Sequence, residues 1–190
     1  MHVLNKIQSL VNGQSSCARC CARQLFDGEG SHSMMTTLTA WKFQYADTAE
    51  VAARTLRELA RENLLVVYDA ATVEWQTGAA RPMASQLYPI TDVGALGTIF
   101  WGRLFGLLFC SPQRDDVDGE LSHALTDQGI DDRFITRVRD GIMPGTSALF
   151  VMSPDAVVDR IREAFAGDDA PELTFTNLQD GTACGRITFS

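Results

Sequence analysis

Basic side chains are in short supply: 16 Lys and Arg stand against 24 Asp and Glu in 190 residues, a formal charge of −8 at pH 7. A surface of that sign has no general attraction for phosphate backbones, which removes nucleic acid from the expected partners. The N-terminus lacks the apolar core of a secretory signal, so secretion is not expected. Cysteine is sparse and uneven. Cys17, Cys20 and Cys21 cluster, Cys110 and Cys184 stand alone, and the odd total of five forms no regular disulfide framework. Free thiols in a reducing cytoplasm follow from that pattern. Neither a Gly-x-Ser-x-Gly elbow nor a phosphate loop occurs.

The remaining chemistry is incomplete. Cys17-x-x-Cys20-Cys21 has thiolate spacing that suits zinc, but His2 and His32 do not stand where they would close the site. Asp116, Asp118 and Gly119 fit part of a calcium loop, yet its first position would be Arg114 and its twelfth Leu125. Asp131-Asp132 reads as a helix start, and His123 is the only histidine inside the domain. No catalytic, metal-binding or cofactor-binding residue is assigned, and no cofactor is expected.

What is present is ordinary globular composition, 45% hydrophobic and 21% charged. Residues 1–35 have no sustained period and read as an extension. It is either a flexible arm or sequence upstream of a true start at Met34 or Met35. Residues 36–178 read as one α+β domain, and residues 179–190 as a divergent tail. Leu38–Phe43 alternates as a strand. Asp47 with Glu50 makes a capping-box start to a helix with Ala52, Leu56, Leu59 and Ala60 on one face. Ala71–Trp75 is a second strand, and Ser85–Tyr88 returns as a hairpin. Asp131 or Asp132 opens a helix carrying Phe134, Ile135, Val138 and Ile142. Ser147–Met152 is a buried strand, Pro154 suits a helix first turn, and Leu173–Leu178 is the last strand. Without its middle the order is strand–helix–strand, twice. That predicts a ferredoxin-like split βαβ/βαβ antiparallel sheet with both helices on one face.

The middle carries almost no charge. From Val93 to Cys110 only Arg103 is ionisable as a base or acid at neutral pH. This apolar insertion, 93–110, repeats a small residue every fourth position: Gly94, Thr98, Gly102, Gly106 and Cys110. At that spacing they line one side of a helix. Glycine costs a helix interior about 1 kcal/mol against alanine, so the stripe implies a backbone packed closely against it. Gly94, Thr98, Gly102 and Gly106 are therefore the expected helix-packing or membrane stripe. The run would extend roughly 27 Å as a helix, against a hydrocarbon core of about 30 Å.

Several stretches resemble a bacterial and archaeal family, the domain of unknown function 1269, whose members are often labelled predicted membrane proteins. They are Thr39-Ala40-Trp41-Lys42-Phe43, Tyr68-Asp69-Ala70-Ala71, Gly94-Ala95-Leu96-Gly97, Phe100-Trp101-Gly102 and Leu104-Phe105-Gly106-Leu107. Further along come Leu125-Thr126-Asp127, Gly129-Ile130-Asp131-Asp132 and Pro144-Gly145-Thr146-Ser147-Ala148-Leu149-Phe150. The resemblance covers about residues 38–178 and implies no reaction or cofactor. Where members carry a second Gly- and Ala-rich helix, this chain has Ser111-Pro112-Gln113-Arg114-Asp115-Asp116.

The expectation is a non-enzymatic structural or interaction protein, a homo-oligomer or a membrane-docking protein, in the cytoplasm or peripherally on a membrane. The alternative is a soluble small-ligand binding or sensory domain using the open face of the sheet, by analogy of fold.

Overall fold

A computed structural model describes residues 35–87, 97–109, 125–166 and 170–178. Residues 1–34 of the extension, the tail, all five cysteines, all three histidines and Gly94 lie outside the described residues.

The elements are β1 (Thr36–Phe43), α1 (Thr48–Arg61), β2 (Asp69–Glu74), β3 (Met83–Leu87), α2 (Gly97–Phe109), α3 (Asp132–Gly141), β4 (Ser147–Pro154), α4 (Val158–Ala164) and β5 (Glu172–Leu178). A turn of 3-10 helix, Asp155–Val157, leads into α4. The five strands form one sheet in the order β3-β2-β4-β1-β5, with every neighbouring pair antiparallel. Thr36 lies opposite Pro154 and Phe43 opposite Ser147, so the two central strands pair along their whole length.

Alternation along the central strands divides the core in two. Trp41, Phe43, Ala70, Leu149 and Val151 point to one face, under Ala49, Ala52, Ala53 and Leu56 of α1 and Val158 and Ile161 of α4. Leu38, Ala40, Ala71, Val73, Ala148, Phe150 and Met152 point to the other, under α2 and α3. The two crossover helices share a face, as the pattern predicts. The apolar segment does not leave the second face open. It covers that face together with Phe134, Ile135 and Val138 of α3. Both faces are needed because β4 is buried at every position, which a one-sided sheet would not allow.

Two local expectations are corrected. Asp47 precedes α1 in a helical conformation and makes no capping hydrogen bond with its side chain. The cap comes from β4: Ser147 Oγ accepts the Ala49 N–H at 3.1 Å and donates to the Tyr45 carbonyl at 2.6 Å. Pro154 ends β4 instead of beginning a helix. Its φ of −57° with ψ of 143° is extended backbone that feeds the 3-10 turn.

Other boundaries follow the local chemistry. At the C-terminus of α1, Asn63 takes φ +56°, Leu64 N–H bonds the Leu59 carbonyl and Asn63 N–H bonds the Ala60 carbonyl. This double closure satisfies carbonyls that the helix leaves unpaired. Asp131 caps α3, its Oδ1 accepting the Phe134 N–H at 2.7 Å.

Candidate functional site

The apolar helix α2 is the feature that the sequence singles out. Phe100, Trp101, Leu104, Leu107 and Leu108 face the sheet and are buried. Trp101 stacks on Phe105 with centroids 5.6 Å apart, and both rings meet Phe150 of β4 edge-on, at 6.3 and 5.3 Å. Such edge contacts add to what burial alone contributes.

Polar contacts hold the helix near both ends. Asp69, the first residue of β2, is fully buried. Its Oδ2 accepts the indole N–H of Trp101 at 2.8 Å and the Gln86 side-chain amide at 3.0 Å. Its Oδ1 accepts the Ala70 N–H at 2.8 Å. Hydrogen bonds to the carboxylate offset part of the cost of taking it out of water. At the other end, the Arg139 guanidinium of α3 donates to the carbonyls of Leu107 and Leu108. A cation at a helix C-terminus satisfies orphan carbonyls and complements the helix dipole.

The opposite side of α2 faces away. Ile99 is 72% exposed. Gly102 and Arg103 are exposed, and Gly106, Phe105 and Phe109 are half-buried. A Cβ added at Gly102 or at Gly106 would meet no atom of the described residues within 4 Å. The fold therefore places these two glycines on one outward stripe, and the close neighbour expected there is not part of the described chain. Thr98 lies within α2, but its side chain and the whole of Gly94 are outside the description. With Arg103 in water, its charge carries no burial cost.

Asp69, Gln86 and Arg139 were not singled out as site residues from the sequence. Asp69 did carry a signal, an acid opening a run of small and apolar residues. Gln86 and Arg139 carried none.

Elsewhere, Lys42 of β1 and Glu172 of β5 form an ion pair at 3.4 Å beside a small cleft reaching Arg137 and Gly141. Glu74 at the end of β2 has its carboxyl raised above the ordinary range by burial, and then by the negative charges of Glu50 and Asp47. Among the described residues, no group of three or more His, Cys, Asp or Glu side chains is placed to hold a metal ion. Nor is any helix among them long and apolar enough to cross a membrane.

Residues 95–183 match the model of a family described as "Protein of unknown function (DUF1269)". The match runs through α2, α3, β4, α4 and β5. The stretches Thr39–Phe43 and Tyr68–Ala71, in the first half of the sheet, lie outside it. No curated protein and no solved structure matches the chain.

Proposed function

We propose that this chain, a member of the DUF1269 family over residues 95–183, is a non-enzymatic interaction protein that self-associates through the outward face of α2. The observation that carries this reading is the uncovered glycine stripe. Gly102 and Gly106 sit about one turn apart, with no neighbour among the described residues within 4 Å of an added Cβ. Each costs the helix about 1 kcal/mol against alanine. The described fold offers no close contact to offset that, whereas a second backbone lying along the stripe would. Ile99, Phe105 and Phe109 extend apolar surface to either side.

The occupant is a second copy of the chain. Among the described residues no helix is long and apolar enough to cross a membrane. Lying flat on a bilayer is the competing arrangement, and it would put the protein at a membrane periphery instead of free in the cytoplasm. The small-ligand alternative relied on an open sheet face, and that face is filled by α2 and α3.

The frame is assigned to the ferredoxin-like class. In support, α1 joins β1 to β2 with β4 between them, and α4 joins β4 to β5 with β1 between them. β3 adds an edge strand, and α2 and α3 are inserted between the halves.

Sedimentation velocity across a concentration series tests the association, with Gly102→Leu as the variant. The wild type should show a concentration-dependent dimer. Gly102→Leu should weaken it about tenfold or more, as overpacking of an interface does, without lowering the melting temperature of the dilute chain. A wild type that stays monomeric at high concentration sinks the reading. Flotation with vesicles by a monomeric chain would transfer it to the membrane.

A further inference from the structure

The rotation of α2 about its own axis is a physical problem that apolar burial does not solve. In α1, Glu50, Arg54, Glu58 and Arg61 must stay in water, so the Ala and Leu face settles against the sheet. In α2 the residues facing outward or sideways, Ile99, Phe105 and Phe109, are as apolar as Leu104, Leu107 and Leu108 facing in. At about 100° per residue, a partial turn toward Phe105 and Phe109 would bury comparable apolar surface. Arg103 lies nearly opposite those rings, so that turn would leave it in water. The same turn would swing Gly102 toward the sheet and Leu107 out.

We propose that the Asp69–Trp101 hydrogen bond is the clasp that fixes this rotation, making Asp69 a positioning residue for the outward stripe. A hydrogen bond is directional where hydrophobic contact is not. The two partners are 0% and 2% exposed, and the indole N–H reaches Oδ2 at 2.8 Å. Gln86 holds the same oxygen from the neighbouring strand at 3.0 Å, and Ala70 N–H holds Oδ1, so the carboxylate is held by groups outside α2. A turned helix would carry the Trp101 indole N–H away from Oδ2, while Asp69 keeps Gln86 and Ala70. A buried polar group left without its partner disfavours the alternative packing. Arg139 restrains the far end through backbone carbonyls. That contact is left intact in both variants below, so their comparison isolates the Asp69–Trp101 bond. That the clasp matters for association rests on the self-association reading above; that it sets the rotation does not.

Thiol labelling reads the rotation directly. In the full chain with its five cysteines changed to serine, single cysteines are placed at Gly102 (Gly102→Cys) or Leu107 (Leu107→Cys). Labelling is followed at dilutions where the chain is monomeric, with and without Trp101→Phe. With Trp101 intact, position 102 should react much faster than position 107. Trp101→Phe keeps an aromatic ring but removes the donor, and should lower the ratio of the two rates about tenfold or more, the scale of a lost hydrogen bond to a charged group. Hydrogen exchange in β1 and β4 should stay as in the parent. A ratio unchanged by Trp101→Phe overturns the proposal even if the melting temperature falls, because the bond would then contribute stability alone. If Trp101→Phe does not fold, Asp69→Leu, close in size but with no acceptor for the indole N–H, decides by the same ratio: a fall supports the clasp and no change overturns it. Dimerisation of the wild type is a separate measurement, so either proposal can fail while the other stands.

Discussion

Ser147 caps a helix from far along the chain: its Oγ accepts the N–H of Ala49, 98 residues away, at 3.1 Å. The same hydroxyl donates to the Tyr45 carbonyl at 2.6 Å, so one buried side chain ties the end of β4 to the turn between β1 and α1. Ser147→Ala should therefore destabilise the chain by roughly 1–2 kcal/mol, the range for losing a cap. Asp47→Ala should cost no more than about 0.5 kcal/mol, as surface changes usually do. Urea denaturation of the two variants checks this; equal costs would mean that Asp47 shares the capping.

Two glycines should respond in opposite senses to the same added methyl group. Gly106→Ala meets no atom of the described residues within 4 Å and should raise the stability of the monomeric chain by up to about 1 kcal/mol through helix propensity. Gly145 has φ +93° and its added Cβ would lie 3.2 Å from Thr77 Oγ1. Gly145→Ala should cost roughly 1–2 kcal/mol, the penalty of left-handed backbone for an L side chain. Denaturation at low protein concentration gives both signs.

The burial of α2 makes a further contrast. Leu104 is fully buried, whereas Ile99 is 72% exposed. Leu104→Ala should cost about 2–5 kcal/mol, and Ile99→Ala should stay within about 0.5 kcal/mol. Calorimetry on the dilute chain measures the difference. Similar small effects at both positions would show that α2 does not dock on the sheet in solution.

Glu74 gives a pH dependence of defined sign. Its carboxyl is raised by desolvation, then by Glu50 and Asp47. Between the ordinary carboxylate value and the raised one, the folded state binds more protons than the unfolded state. Stability contributed by this group is thus present below the ordinary value and is lost as pH rises through the raised one. Glu74→Gln should be more stable than the wild type at pH 7, with the advantage disappearing on acidification. Urea denaturation at a series of pH values from 4 to 7 follows it. A variant that is less stable at pH 7 would mean that Glu74 is stabilised by a charge partner.

How much of this could be read from the chain depended on the range of the physics. The sequence by itself determined the strands and helices whose periodicity is local: Leu38–Phe43, the Ala and Leu stripe of α1, the hairpin return at Ser85, a cap at Asp131 or Asp132 and the strand at Ser147. It also determined that Gly102 and Gly106 share one side of a helix, because four-residue spacing is a property of the helix alone. Only the tertiary structure decided which way that side faces. α2 is apolar nearly all round, so its pattern contains no instruction about its inner face, and the choice falls to Asp69, distant in sequence and opposite in space. The same holds for Ser147 as the cap of α1 and Arg139 as the clamp on α2. Each is a hydrogen bond between segments that only the sheet order brings together, and no local period records a partner supplied from the far side of a fold.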